Sequence, residues 1–304
     1  MKKVLITGAY GFLGRHTAKK FKELNFHVTG IGHGKWYPEQ YEKWGLDKWL
    51  ESTITFEALM NIKEKFDVII HCGGSGSVAF SYANPYEDFQ KSVQSTLSLL
   101  EFIRLQNPKC KFIYPSSPAV QGNMEDFEIK EDSSSTPISP YGYHKRTAEE
   151  LCLSYHKNFG LKVGILRFFS IYGEGLEKQL LYDACKKIYS AKEDSIMFFG
   201  TGKETRDWIN VDDASALIYT FSEKLQRFDI INGATGNRTE IKDILELLVK
   251  YMGKPVSLKF NGKNREGDPL YFWANMDRTL SYGWKPKVSL EEGIKRYVAY
   301  FKSL

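Results

Sequence analysis

Residues 4–14 read VLITGAYGFLG. A short Val/Leu/Ile run meets three glycines spaced G-x-x-G-x-x-G, and a helix-like pattern runs from Phe12 to Leu24. Glycine permits a tight turn and lets backbone approach a diphosphate. The helix that follows points free N–H groups and its positive dipole end at the same place. The strand–loop–helix context therefore predicts a dinucleotide cradle made by Gly8, Tyr10, Gly11, Phe12, Leu13 and Gly14.

The same alternation continues outward. His27–Ile31, Asp67–Cys72, Lys111–Tyr114 and Lys162–Leu166 read as strands, and Tyr86–Arg104 and Pro140–Phe159 as helices. Near-continuous Val/Ile runs separated by helices predict an α/β fold, a doubly wound parallel sheet covered on both faces. After about Phe168 the pattern loses regularity. Ile241–Tyr251 and a helix opened by Ser289-Leu290-Glu291-Glu292 remain clear. Asp207–Val211 and Asp229–Asn232 look strand-like and able to rejoin the sheet. We expect a dinucleotide-binding domain over 1–168 plus about 207–233. A smaller, interleaved α/β substrate domain takes 169–206 and 234–304.

Composition narrows the class. With 304 residues, 42% hydrophobic and 26% charged, the chain is long enough for an ample core and ordinary for a soluble protein. No apolar run approaches the ~20 residues of a membrane span. Met1-Lys2-Lys3 leads directly into a strand rather than a secretion signal. Cys72, Cys110, Cys152 and Cys185 are scattered without metal-ligand spacing, so no metal and a reducing cytoplasm are expected. A net charge of +5 is read as a solvated surface rather than a nucleic-acid footprint.

Ser139-Pro140-Tyr141-Gly142-Tyr143-His144-Lys145 reads as a helix start, with serine at the N-cap and proline at the first helical position. Tyr141 and Lys145 are then i and i+4 and share a face. A free phenol ionises near pH ~10 and is a poor acid–base group at neutrality, but a nearby ammonium stabilises its phenolate. Tyr143 lies ~200° round the helix and cannot share that face. Ser117 follows the strand-like KFIYP, at the sheet end where ligands bind. Its hydroxyl can reach the same substrate oxygen as Tyr141.

Together these segments closely resemble the extended short-chain dehydrogenase/reductase family of sugar-nucleotide epimerases, dehydratases and ketoreductases. The resemblance covers nearly the whole chain. It runs through ITGAYGFLG, VIIHCGGSGSV, YPSSPAVQG, SPYGYHK, LRFFSIYGEG, GTGKETRDWINVDDAS, REGDP and YGWKPKVSLEEGI. It implies that Tyr141 is the acid–base residue, that Lys145 holds the nicotinamide ribose, and that Ser117 bonds the reacting oxygen. It implies that Cys72, Gly73, Gly74, Ser92, Phe168 and Ile171 border the cofactor, and Ser75, Ser77 and Ser170 the substrate. Arg206 and Arg265 would clamp a diphosphate, a task suited to the guanidinium fork. Family members usually carry Asn where Ser92 and Ser170 stand. Ser52 occupies the position loosely aligned with an adenine-side Asp, and Gln121 replaces a usual Tyr. Homodimers built on the Tyr86–Arg104 and Pro140–Phe159 helices are common in the family.

Two departures point to the reaction. Dehydratases of the family carry Asp-Glu after the catalytic hydroxyl residue, whereas Ser117 is followed by Pro118-Ala119, which moves no proton. Residues 27–35, HVTGIGHGK, end the second strand without the carboxylate that grips a ribose 2′-hydroxyl. Gly32 stands in its place, and His33 and Lys35, with Arg15 as helper, could pair with a 2′-phosphate. The expectation is an NADP-dependent 4-ketoreductase acting on a nucleotide-linked ketosugar. An NAD(P)-dependent sugar-nucleotide 4-epimerase is the alternative, with NAD the alternative cofactor. A non-catalytic cofactor-sensing or RNA-binding relative is a third reading, opposed by the intact Ser117, Tyr141 and Lys145. The aromatic stretch Trp36–Trp49 reads as a helix packed on the sheet edge, or else as an adenine lid or partner surface.

Overall fold

The computed structural model describes residues 1–263 and 269–304. β1 (Lys3–Thr7) runs into α1 (Phe12–Glu23), and β2 (His27–Gly32) follows. An aromatic connection holds α2 (Pro38–Tyr41) and leads to β3 (Lys48–Glu51) and α3 (Phe56–Met60). After β4 (Val68–His71) come α4 (Val78–Ala83), α5 (Pro85–Phe89), a π-helical turn over Gln90–Gln94, and α6 (Ser95–Gln106). β5 (Lys111–Ser116), α7 (Pro140–Phe159) and β6 (Lys162–Phe168) complete the regular alternation.

Beyond it the elements shorten: β7 (Ser170–Tyr172), α8 (Gln179–Ser190), β8 (Ser195–Phe198), β9 (Thr205–Arg206) and β10 (Trp208–Asn210). Next come α9 (Val211–Lys224), β11 (Phe228–Gly233), β12 (Thr239–Glu240) and α10 (Ile241–Met252). The chain closes with β13 (Ser257–Phe260), β14 (Tyr271–Phe272), α11 (Asp277–Ser281) and α12 (Leu290–Lys302), whose Ser289 cap accepts the Glu292 N–H at 3.3 Å.

Seven parallel strands form the main sheet in the order β11-β6-β5-β4-β1-β2-β3. The period-2 alternation of a strand decides which face each residue covers. Val4 and Ile6 of β1 pack with Ala18 and Phe21 of α1 and Leu217, Ile218 and Phe221 of α9. Leu5 points the other way, with Phe112 and Tyr114, into a layer closed by Leu99, Leu100 and Ile103 of α6 and Ala148 and Cys152 of α7. A separate apolar cluster joins α8, α10 and α12 through Leu181, Ile188, Leu245, Leu248, Ile294 and Tyr297. The order of strands turns at β1, between β2 and β4, which is where ligands lie in such sheets. No helix among the described residues is long and apolar enough to cross a membrane.

Three elements differ from expectation. Asp229–Asn232 does rejoin the sheet, within β11, but Asp207–Val211 does not. Its core, β10, pairs with β7 in a two-stranded sheet, because β11 already occupies the edge of β6. The Tyr86–Arg104 helix is helical throughout but widens into the π turn over Gln90–Gln94. Within Trp36–Trp49 the chain makes α2 and then the edge strand β3, and Trp36 packs edge-on to Trp49 with centroids 5.4 Å apart.

Asp207 fixes the start of β10. Its buried carboxylate accepts from the Thr235 N–H at 2.8 Å, the Thr235 hydroxyl at 2.7 Å, the Gly236 N–H at 2.8 Å and the Ala274 N–H at 3.3 Å. Asp207→Asn turns an amide nitrogen toward donors that need an acceptor. The expected cost is roughly 3 kcal/mol of unfolding free energy, read as a lower urea midpoint at unchanged slope.

Candidate functional site

A cavity of about 1180 Å³ opens over the carboxyl ends of β1, β4, β5 and β6. One wall is the glycine loop, Gly11–Gly14; the floor is His71–Ala79 and Pro115–Ala119; α7 supplies Tyr141 and Lys145. The far wall belongs to α8, Phe198–Gly200, Arg206 and Phe272.

The glycine loop has the form a diphosphate requires. Gly8 sits at φ +66°, and a Cβ there would lie 2.6 Å from the Gly73 nitrogen. A Cβ on Gly14 would lie 2.3 Å from the Gly8 carbonyl oxygen, so helix and strand meet only because both positions lack one. Among the described residues no side chain caps α1, and the start of the helix faces the cavity. Cys72, Gly73, Gly74, Ser75, Ser77, Ser117, Phe168, Ser170, Ile171 and Arg206 all line the same space.

Lys145 is the buried cation of the site. Its ammonium donates to the Pro115 carbonyl at 2.9 Å and lies 4.6 Å from the centroid of the Tyr114 ring. Burial brings its pKa down to about 8, while Glu149 one turn later pulls the other way. Glu149 is held by Arg167 through contacts of 3.1 and 2.7 Å and by the Ser116 hydroxyl at 2.6 Å. Tyr141 begins α7 with its N–H on the Ser81 hydroxyl at 3.0 Å. Burial raises its phenol to about 12; a hydrogen bond with Ser117 opposes the rise, and the Asp88 charge adds to it. Ser117 itself caps the turn Pro118–Val120, accepting the Ala119 N–H at 3.2 Å.

A second set of buried polar groups braces the floor. The Gly73 N–H donates to the Thr7 hydroxyl at 3.2 Å, and Thr7 contacts His71 Nδ1 at 2.6 Å. His71 Nε2 meets Ser95 at 3.1 Å, and Ser95 donates to the Lys91 carbonyl at 2.6 Å. These directions assign the proton to Nε2 of a neutral imidazole, in keeping with burial that lowers its pKa to about 3. Burial likewise pushes the Cys72 thiol up to about 12, which leaves it a poor nucleophile.

Other expected residues stand off this cavity. Gly8 lies behind the loop, and Ser92 is buried in the π turn with its hydroxyl unpartnered among the described residues. Gly32 accepts the Ser52 N–H at 2.8 Å, and a Cβ on Gly32 would meet the Trp49 ring at 3.1 Å. His33 and Lys35 are exposed beyond it, and neither they nor Tyr10 line the cavity. The Arg15 guanidinium is tied to the Tyr10 carbonyl, with the rings of Tyr10, Trp36 and Trp44 at 5.6, 5.9 and 5.2 Å. Arg265 lies outside the described residues. The sequence reading passed over Glu149, although its i+4 spacing from Lys145 was a usable signal. It also passed over Gln179, which sits at φ +67° and donates to the Gly76 carbonyl at 3.2 Å across the cavity mouth; nothing in the local pattern marks it.

The chain is similar to known proteins over nearly its whole length. The profile of the NAD-dependent epimerase/dehydratase family matches residues 4–232. The chain belongs to that family of enzymes. The UDP-glucuronate 4-epimerase of Thermodesulfobacterium geofontis is 29% identical over 98% of this chain and 95% of its own. Two crystal structures superpose over 99% of both chains. One is the Bacillus cereus UDP-glucuronic acid 4-epimerase with UDP-glucuronic acid and NAD, at 28% identity and a TM-score of 0.87. The other is the Thermotoga maritima UDP-glucose 4-epimerase with UDP-glucose, at 27% and 0.89.

The close approach at Gly8 gives a direct test. Gly8→Ala forces a methyl into the Gly73 backbone at a positive φ. Binding of NAD, titrated calorimetrically, is expected to weaken by at least about tenfold, on the order of 1.4 kcal/mol.

Proposed function

We propose that the protein is an NAD-dependent 4-epimerase of a nucleotide-diphosphate sugar. The observation that carries this reading is the set Ser117, Tyr141 and Lys145 lining one cavity, with Pro118 and Ala119 where an acid–base pair for dehydration would stand. The similar 4-epimerases lend the substrate class and NAD.

The expectation of an NADP-dependent ketoreductase gives way to its alternative. It depended on His33, Lys35 and Arg15 meeting a 2′-phosphate. The first two are exposed away from the cavity, and Arg15 is engaged with a carbonyl and three rings.

NAD, when bound, would supply the acceptor for the hydride of the sugar carbon and its donor on return. Tyr141 takes the hydroxyl proton as the hydride leaves and gives a proton back when it returns. Ser117 keeps the reacting oxygen within reach of Tyr141. Lys145 holds the nicotinamide ribose and favours the phenolate. Small residues from Gly73 to Ser77 and Ala119 leave the ketosugar room to present its other face. Arg206 grips the diphosphate. We assign the cofactor to 1–168 together with α9 and β11, about 211–233, and the sugar nucleotide to 169–210, whose β7 and β10 pair apart from the main sheet, and 234–304. A homodimer through α5, α6 and α7 would cover the exposed Tyr86, Phe89, Leu97, Tyr143 and Phe159. A cytoplasmic location suits four unpaired cysteines.

Incubation with NAD and UDP-glucose or UDP-glucuronate is expected to interconvert one of them with its C4 epimer, without consuming NADPH. Tyr141→Phe should lower turnover by about 10²–10⁴-fold while leaving cofactor binding intact. Turnover near that of the unmodified protein in this variant would refute the assignment.

A further inference from the structure

The chain from Glu174 to Gln179, which leads from β7 into α8, is tied to both sides of the cavity. On one side His16 Nε2 donates to the Glu174 carbonyl at 2.9 Å. His16 lies one turn along α1 from Phe12 of the glycine loop. A Cβ on Gly175 would lie 3.8 Å from the Phe12 ring, so the segment rests against that loop. On the other side the Gln179 amide donates to the Gly76 carbonyl at 3.2 Å, within the floor segment His71–Ala79. Between these anchors Leu176 is buried and lines the cavity, whereas Glu174, Glu177, Lys178 and Gln179 are exposed.

The C-terminal helix α12 stiffens the segment. Arg296 pairs with the Glu174 carboxylate at 3.2 Å. The Tyr297 hydroxyl donates to the Leu176 carbonyl at 2.6 Å, and the Tyr300 hydroxyl donates to Glu177 at 2.6 Å. Gln179 sits at φ +67°, a backbone region that is costly for a side-chain-bearing residue and persists where neighbours enforce it. The segment is therefore a braced strap. The glycine loop and the His71–Gly74 floor are the walls between which a dinucleotide would lie, and the strap joins one to the other.

We propose that Glu174–Gln179 is a strap that gates the dinucleotide, with His16 and Gln179 as the positioning residues that latch it shut. This rests on the cofactor site of the proposed 4-epimerase. A cofactor that takes a hydride and gives it back to the same sugar has to stay through turnover, and a closed strap slows its exit. The latch bonds protein to protein and does not involve the ligand. Breaking it raises the open fraction equally with and without NAD, so entry and exit speed up together while affinity is unchanged.

The test measures the exit rate of NAD from the loaded protein, by mass spectrometry against an excess of deuterated NAD. The dissociation constant comes from calorimetry, and the two together give the entry rate. Gln179→Ala removes the donor, and Gln179→Glu turns a carboxylate toward the Gly76 carbonyl. Gln179 is exposed, so neither change burdens the fold. Each is expected to raise the exit rate about fivefold, the effect of one hydrogen bond, with a dissociation constant within about twofold of the unmodified protein. His16→Leu, at the other anchor, should do the same. An exit rate unchanged in both Gln179 variants overturns the proposal. So does faster exit matched by equally weaker binding, which would make Gln179 a contact of the cofactor instead of a latch. None of these readouts uses a sugar nucleotide, so a failure of the 4-epimerase reading would appear separately, as turnover that survives Tyr141→Phe.

Discussion

A lysine ammonium inside a protein must be matched by oxygen and charge, and the architecture around Lys145 is organised by that demand. The Pro115 carbonyl accepts from it, the Tyr114 ring faces it, and Glu149 stands one helical turn away. Glu149 is itself buried and needs Arg167 and Ser116. Arg167 also donates to the Glu131 carbonyl at 2.7 Å, and the Glu131 carboxylate accepts the Asn232 N–H at 2.9 Å. One buried cation thus links β5, α7, β6, the loop before α7 and β11. Removing one partner leaves an uncompensated charge, which costs more than the pair contributes.

The same constraint shapes the chemistry. Burial presses Lys145 toward its neutral form and Tyr141 toward its protonated form, so the resting site holds its proton on the phenol. The Ser117 hydrogen bond works against that preference, and the Lys145 ammonium would do the same once ribose brings the groups together. In the proposed epimerase cycle Tyr141 both takes and gives a proton, a task best served by a small balance between such opposing effects. The relay from Gly73 through Thr7, His71 and Ser95 has another task. It is neutral and fully directed, and it fixes the floor under the glycine loop without adding charge.

What the sequence made legible was local. The glycine loop could be read because strand, turn and helix are contiguous, and Tyr141 with Lys145 because one helix puts i and i+4 together. The parallel sheet followed from apolar runs long enough to need cover on both faces. What stayed hidden depends on distant partners. That β10 joins β7 rather than β6 is decided by β11 taking the edge, some twenty residues later. The basic residues after Gly32 suggested a phosphate, but His33 and Lys35 are exposed and do not line the cavity, and Arg15 is engaged by the Tyr10 carbonyl and three aromatic rings. The π turn carrying Ser92 leaves no periodic mark, and neither does the left-handed backbone of Gln179.

The central claim is that a hydride leaves C4 of a nucleotide sugar and returns to the same carbon within one enzyme molecule. The most direct measurement supplies a sugar nucleotide deuterated at C4, in ordinary water with unlabelled NADH present, and follows the label by mass spectrometry and NMR. The account predicts that deuterium remains at C4 in both epimers at equilibrium. Loss of the label to water, or its transfer to the free nicotinamide pool, would contradict it.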